Sequence, residues 1–562
     1  MDSWLKCYIL KSIKMKKHMY KNIKVFFATL LLIVAIPSCT NLDEKIYSDL
    51  SGDNFYKNKV EILQGALRPF THMQAWMAPT GQNGYYYHAE LSADQLAWPQ
   101  KGKHGYDGGD HFRQHYHTWT SDEGRMRGAW SLIWTGVGYI NAAIADMEKV
   151  DYKEFMTEEE MTAIISELYV LRAFHYMKIM ELWGNTPIVT EVGEGPNPPT
   201  RPKKDLFEFA KTELETHVPK LLPYSKELVG RVSQTAGYAM LAELYLNAEY
   251  FVGVPMWDEC IKACDKIMSG EAGGLGAGNK PELADNLSDS FSNSNQSAKE
   301  SLFQFAFSKK GGFTFGWDGF FCGYSNTSEI HNVDYSGWNA FVVIPTAFDN
   351  YPDNDLRKKE WFMFGPQYKY GTDEPILGTE EYNGKPLEYV NYIRRESERK
   401  SPDEVLRSTM ADGEENSGAR FDKYKSGPLT DDNYRENHYL LYRLTEIYYN
   451  KAEALMRKNG GKATQEAVDL INICRQRAFS DEDWEEAKYT TETLTMDELL
   501  NERGREFIFE GKRRTDLIRF GKFTTASWWD HEPSNDPNRE IYPIPHTQIG
   551  ANPNLKQNPG YE

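Results

Sequence analysis

Apolar residues recur every three or four positions along several segments of the chain, the spacing that puts them on one face of an α-helix. In one such segment Ile164, Leu168 and Leu171 form a single stripe. Gly184 follows it as a stop signal. The pattern predicts a mostly α-helical chain with helices over residues 128–150, 161–183, 206–222, 233–251, 257–268, 440–457, 464–479 and 496–511.

These predicted helices come largely in pairs, and some carry small residues that allow a neighbouring helix to approach closely. Ala236, Gly237, Ala239 and Ala242 are such a set. Paired helices of this size resemble tetratricopeptide repeats, although no copy matches the repeat consensus well. An irregular helical bundle is the alternative. We expect a tetratricopeptide-like helical repeat scaffold over residues 39–80, 121–268 and 430–525.

Two regions lack this periodicity. Residues 81–120 and 270–429 are rich in Gly, Asn, Asp, Trp and Tyr, and the second contains short strand-like runs, SLFQFAF and FVVI. Long irregular stretches inside a compact protein are usually functional. The sequence therefore predicts a large loop-rich insertion with short strands, and these two regions are where we expect ligand recognition.

The first 38 residues have the pattern of a targeting signal. Lysines from Lys11 to Lys24 form a basic region, and residues 25–36 are apolar apart from Thr29. The apolar run is too short for a membrane span, which needs about 20 residues, and fits a secretory signal peptide. Ile36, Pro37 and Ser38 before Cys39 resemble a lipobox, so Cys39 is the expected site of lipid attachment and residues 39–562 the mature protein.

Composition narrows the class of partner. The formal net charge is -18, and removal of residues 1–38, with seven lysines and one aspartate, would make it -24. Such a surface repels nucleic acid, which argues against a nucleic-acid partner. The six cysteines show no CxxC pair and no zinc-site spacing. Phosphate-binding loops, nucleophile elbows and HExxH motifs are also missing from the sequence.

A charged series near the C-terminus is the most specific motif of the chain. Glu502, Glu506 and Glu510 are spaced one helical turn apart, with arginines between them. A carboxylate pair could serve glycoside hydrolysis. The alternation of sign favours instead an ion-paired network that organises the scaffold.

Several motifs in this order resemble the SusD/RagB family of outer-membrane nutrient-binding lipoproteins. They are LDEKIYSDLSGDNFYKN, LRAFHYMKIMELWGNTPIV, EIYYNKAEALMRK, FEGKRRTDLIRFGKF and the final PIP and NPNLKQNPGY. The resemblance covers nearly the whole mature chain. It implies a glycan-binding protein of the cell surface, lipid-anchored in the outer membrane, that works beside a SusC-like TonB-dependent transporter and catalyses no reaction.

The resemblance places ligand contacts in the two loop-rich regions without a residue motif. Sugar rings need flat aromatic faces, with polar groups nearby for the hydroxyls. Trp98, which follows LSADQLA, and Trp317 are the leading candidates, and packing in small cores is the alternative for each aromatic residue. The full set of predicted ligand-binding residues is Tyr85, Tyr86, Trp98, His104, Asp107, Trp317, Phe320, Tyr324, Asn326 and Trp338.

Metal binding is the weaker interpretation of two further motifs. His111, His115 and His117 have no regularly spaced acidic or cysteine partner, so packed histidines are expected. The acids around Asp353 do not follow the EF-hand spacing, which leaves structural calcium as an open possibility and no cofactor expected.

The expected function is capture of an oligosaccharide or polysaccharide outside the cell and its delivery to the transporter. Two alternatives remain from the sequence. One is a surface glycoside hydrolase, and the other is a family member that binds peptides.

Overall fold

Helices packed side by side form the frame of the protein in the computed structural model, which describes residues 55–77, 83–308, 316, 318–323, 326–333, 335–425 and 435–561. The signal segment and Cys39 lie outside these residues. Within the described part, no helix combines the length and the apolar character that crossing a bilayer requires. The helices are α1 (Lys59–Met77), α2 (Tyr85–Leu91), α3 (Asp110–His115), α4 (Gly124–Met147), α5 (Glu158–Trp183), α6 (Lys203–His217), α7 (Gln234–Leu246), α8 (Ala248–Val252), α9 (Trp257–Met268), α10 (Asp318–Phe321), α11 (Asn326–His331), α12 (Pro345–Asp349), α13 (Leu356–Glu360), α14 (Leu444–Lys458), α15 (Gln465–Arg475), α16 (Asp481–Ala487), α17 (Met496–Glu506), α18 (Arg513–Arg519) and α19 (His546–Ala551).

The strands are short and pair in antiparallel couples: β1 with β3, β2 with β8, β4 with β7 and β5 with β6. Their bounds are β1 (Leu96–Ala97), β2 (Ser301–Phe305), β3 (Val342–Val343), β4 (Phe362–Met363), β5 (Gly365–Pro366), β6 (Glu388–Tyr389), β7 (Arg420–Phe421) and β8 (Tyr439–Arg443).

The long helices stack in chain order. α1 packs on α4, α4 on α5 and α5 on α6, and a second series runs from α7 through α9 and α14 to α15. The second series crosses the insertion, because α9 ends at Met268 and α14 begins at Leu444. The predicted mostly α-helical, tetratricopeptide-like frame with a large loop-rich insertion is confirmed.

Two details of the prediction were wrong. Residues 440–443 belong to strand β8 and not to a helix, because YLLYR pairs with β2 and is buried on both faces. The first loop-rich region contains helices α2 and α3, and every residue of α2 is buried. Helix α2 has only seven residues, all of them buried, so it is too short and too uniform for helical periodicity to reveal it.

The C-terminal charged series lies inside the protein. Glu502 and Glu506 on α17 and the nearby Glu510 are each less than 4% exposed, and most of the basic groups they meet come from other segments. We call this set the internal ion network. Its members are Glu300, Asp355, Arg357, Lys423, Arg443, Arg475, Arg477, Glu502, Arg505, Glu506 and Glu510.

Two arginines hold the centre of the internal ion network. Arg357 donates to Glu502 at 2.9 Å and to Glu506 at 3.0 Å. Arg443 donates to Glu506 at 2.9 Å and to Glu510 at 2.9 Å. Although burial alone would raise it, the pKa of Glu510 is lowered by Arg443 and Lys423. The predicted scaffold-organising ion pairs are thereby confirmed.

Replacement of one acid of the network should be costly. Glu502→Gln keeps the shape of the side chain but leaves Arg357 and Arg475 short of a counter-charge, and we expect a loss of about 3–5 kcal/mol in the free energy of unfolding. Urea unfolding followed by tryptophan fluorescence measures it.

The matched control is Glu485→Gln, since Glu485 is 77% exposed in its ion pair with Lys488. Its effect should stay below about 0.5 kcal/mol, as for other surface pairs. Equal stability of the two variants would show that the buried charges need no partner.

Candidate ligand-binding cleft

The β1–β3 pair joins the two loop-rich regions. Leu96 lies opposite Val343 and Ala97 opposite Val342. Just beyond β1, the ammonium of Lys101 donates to the backbone oxygens of Asn339 at 2.7 Å and Ala340 at 2.9 Å. Burial lowers the pKa of Lys101 well below its usual range. The first loop-rich region therefore holds the segment that precedes β3 in place.

An open cleft of about 450 Å³ lies between helix α1 and the segment that precedes β3. Its lining is mainly apolar and aromatic, and Trp338 stands out because half of its side chain is exposed. We call it the aromatic cleft. It is lined by Thr71, Gln74, Ala75, Phe307, Gly316, Gly319, Phe320, Tyr335, Ser336 and Trp338.

Trp338 is held rigidly although it is exposed. Its backbone N–H donates to the oxygen of Gly319 at 2.6 Å. Its ring meets the ring of Phe320 edge to face, with centroids 4.6 Å apart. Phe320 in turn stacks on Phe341 at 5.5 Å. Edge-to-face and offset contacts of this kind stabilise aromatic clusters, so the indole presents a fixed flat face to the cleft.

Helix α1, predicted as part of the helical frame, supplies the opposite wall. Thr71, Gln74 and Ala75 reach the cleft from it, and the amide of Gln74 donates to the backbone oxygen of Ala306 at 3.3 Å. Tyr335 and Phe307 also line the cleft and were not predicted. In the sequence, the polar Gln74 beside the buried Met73 is the one indication that this helix has an exposed face. Helical periodicity does not show that such a face lies against another segment.

Trp98 is buried behind the cleft, so the prediction that it offers an open stacking face was wrong. One face of its ring is covered by His111, with ring centroids 3.9 Å apart and planes at 10°. Its other neighbours include Phe320 and Phe341, both edge to face. Only 4% of Trp98 is exposed. It supports Phe320 from within.

Tyr85, Tyr86 and Asn326 are also buried, which contradicts their predicted role as ligand contacts. The hydroxyl of Tyr85 donates to Glu181 at 2.5 Å, and the ring of Tyr86 packs against Phe341. The amide of Asn326 donates to the backbone oxygen of Leu377 at 3.1 Å. Tyr85 and Tyr86 lie in the structural core because the YYYHAEL segment forms helix α2 inside the protein.

The remaining predicted residues divide into three groups. Phe320 and Trp338 line the cleft. His104 and Asp107 are partly exposed on the far side of Trp98, where His104 faces Glu380 at 3.6 Å, and their contact with ligand stays a prediction. Trp317 and Tyr324 lie outside the residues that the structure describes.

Comparison with known proteins decides the family. The profile described as the SusD family matches residues 299–561, and the profile described as starch-binding, associating with outer membrane, matches residues 42–246. The chain belongs to the SusD/RagB family.

Curated relatives of this SusD-family chain share limited identity over long stretches. It is 26% identical to the starch-binding protein SusD of Bacteroides thetaiotaomicron over 451 residues, which cover 74% of this chain and 75% of that protein. It is 22% identical to a SusD-like protein of Formosa agariphila, over 96% of this chain and 100% of the relative.

Solved structures share the fold. A laminarin-binding SusD-like protein superposes with a TM-score of 0.67 at 19% identity, covering 90% of this chain and all of that one. Surface glycan-binding protein A of Bacteroides thetaiotaomicron, in complex with laminarihexaose, superposes with a TM-score of 0.65 at 19% identity, covering 89% of this chain and 99% of that one.

The acids of the C-terminal motif are unsuited to hydrolysis in this SusD-family chain. Glu502, Glu506 and Glu510 are buried and paired with arginines, and none of them lines the aromatic cleft. In the described part of the chain, no group of three or more His, Cys, Asp and Glu residues could hold a metal ion.

The three histidines of the HFRQHYHTW motif bind different partners. His111 meets the hydroxyl of Tyr87 at 2.8 Å, His115 the backbone oxygen of Trp529 at 3.0 Å and His117 that of Ser92 at 2.8 Å. The prediction of packed, hydrogen-bonded histidines is confirmed.

Buried histidines make the stability of the protein depend on pH. Burial lowers the pKa of His115 to about 3 and that of His531 to about 4. Both lie below the value of about 6.5 in an unfolded chain. As the pH falls from 6.5 towards 4, the unfolded chain takes up protons that the folded protein excludes, so stability is lost.

We therefore expect the thermal unfolding midpoint to fall steadily between pH 6.5 and pH 4, with each such histidine contributing about 1.4 kcal/mol per pH unit at most. His531→Asn should make this pH dependence less steep. Parallel pH profiles for the natural protein and this variant would contradict the prediction. Differential scanning calorimetry measures the midpoints.

Proposed function

We propose that the protein captures glycans at the cell surface and that the aromatic cleft is its binding site. The observation that carries the proposal is the half-exposed indole of Trp338, held in place by Gly319 and Phe320 at one wall of an open cavity. A fixed aromatic face binds the CH side of a sugar ring without losing side-chain freedom. The cavity of about 450 Å³ has the size of a small-molecule site.

The family relatives support a glycan as the ligand. Names of the similar proteins include starch-binding and laminarin-binding, and one similar structure was solved with laminarihexaose. Most described lining residues come from the second loop-rich region, one of the two in which the family resemblance places recognition.

Binding proceeds without bond cleavage in this proposal. The lining residues that the structure describes include no carboxylate, and hydrolysis of a glycosidic bond ordinarily needs two. The similar proteins whose names state a role are binding proteins.

The site of action would be the outer membrane, with Cys39 as the lipid-bearing residue and a SusC-like TonB-dependent transporter as the partner. The description of one matching profile, which names association with the outer membrane, supports this location. Captured oligosaccharide would pass from the cleft to the transporter.

Removal of the indole should abolish most of the affinity. For Trp338→Ala we expect binding of the preferred oligosaccharide to weaken about 30-fold, the effect of losing a central aromatic contact. Isothermal titration with maltohexaose, laminarihexaose, cellohexaose, a polyuronate hexasaccharide and an extended peptide identifies the ligand, and chromatography of the incubated mixture detects any cleavage.

The matched control is Tyr368→Ala, since Tyr368 is 48% exposed but does not line the cleft. It should bind as the natural protein does. Equal affinity of the Trp338→Ala variant would place the site elsewhere, released sugar would show a hydrolase, and binding of the peptide alone would show a peptide carrier.

The anchor is tested separately from the cleft. Cells grown with labelled palmitate should incorporate label into the natural protein and not into Cys39→Ser, because the cysteine thiol carries the lipid. Cys7→Ser, within the signal segment, is the control and should keep the label. Labelling of the Cys39→Ser variant would place the lipid on another residue.

A further inference from the structure

The aromatic cleft has no formal charge among its described lining residues. Its polar groups are the hydroxyls of Thr71, Tyr335 and Ser336 and the amide of Gln74, and the rest of its surface is aromatic or aliphatic. These groups can satisfy the hydroxyls of a sugar. A carboxylate or sulfate would find no cation among them.

Two cations that bind the segment around Trp338, Lys101 and Arg420, are committed to buried oxygens. Lys101 is 4% exposed and donates to the backbone oxygens of Asn339 and Ala340, the residues that follow Trp338. Arg420 is fully buried and donates to the backbone oxygen of Phe321 at 2.8 Å and to the side chain of Asn339 at 2.6 Å. If the side chain of Lys101 or Arg420 turned towards a ligand, the buried oxygens that it binds would lose a hydrogen bond, which is costly.

The net charge of the protein also disfavours binding of an anionic glycan. With a formal net charge of -18, the chain repels a polyanion at long range. This repulsion is screened by salt over about 8–10 Å, whereas the effect of a lining whose described residues hold no counter-charge is not. Measurements at two salt concentrations therefore separate the long-range repulsion from the effect of the cleft lining.

From this lining we infer that the aromatic cleft accepts uncharged sugar units and rejects uronic acids and sulfated sugars. The inference rests on the proposed function and names the class of glycan that this site takes. The specificity arises from Thr71 and Ser336, two exposed neutral residues on opposite walls, at which a cation would be needed for an acidic sugar.

The experiment compares one oligosaccharide in two charge states. Titration of the purified full-length protein uses the neutral hexasaccharide that binds best in the panel and the same hexasaccharide with its primary hydroxyls oxidised to carboxylates. We expect the oxidised form to bind at least about tenfold more weakly, at 0.15 M and at 0.5 M salt alike, since an unpaired anion is costly to desolvate.

A charge introduced into the cleft should reverse this preference in part. Thr71→Lys and Ser336→Lys each place an ammonium at one wall, and each should strengthen binding of the oxidised hexasaccharide about tenfold relative to the natural protein. Thr491→Lys makes the same change at an exposed residue outside the lining and should not. Thermal unfolding midpoints of the three variants verify that each one folds.

The possible results distinguish failure of this inference from failure of the proposed function. Equal binding of the neutral and oxidised forms, or a preference that vanishes at 0.5 M salt, would overturn the inference and leave glycan binding intact. Failure of both lysine variants in the cleft to gain affinity, or an equal gain in Thr491→Lys, would also overturn it. Absence of binding to every glycan of the panel would overturn the proposed function itself.

Discussion

The internal ion network is the constraint on which the arrangement of the protein depends. Its charges come from the helical frame, from β8 and from the insertion, and they meet where almost no water reaches them. A buried ion pair adds little net stability compared with an apolar contact, but a single unpaired member is very costly. Arg357 of the insertion must therefore meet Glu502 and Glu506 of α17. The insertion has one low-energy position on the frame.

A second constraint fixes the ligand face itself. The backbone around Trp338 is hydrogen-bonded to α10, and Lys101 holds the two following residues from the other side. Beneath the indole lie Phe320 and then Trp98, whose own face is covered by His111. Packed rings leave little space for movement, so the exposed indole is preorganised although it stands at the surface.

The sequence predicts the long helices of the frame, including α5 and α7, most of whose residues are buried. It fails for short segments, such as the seven-residue α2 or the apolar run that pairs as strand β8. The second loop-rich region, which supplies most of the described cleft lining, was also predictable from its composition. The sequence includes Trp338 among its candidates but does not show that this indole, and not that of Trp98, is exposed. Both lie in polar, glycine-containing surroundings, and only the distant partner His111 decides that Trp98 is covered.

The cleft and the internal ion network are connected through one pair of strands. Arg443, which binds Glu510, lies opposite Ser301 in the β2–β8 pair. Directly beyond β2, the backbone oxygen of Ala306 accepts from Gln74 and the ring of Phe307 lines the cleft. The network positions β8, β8 positions β2, and β2 delivers Phe307 against helix α1. The shape of the cleft thus follows from ion pairs whose members do not line it, which explains why its walls can come from such distant parts of the chain.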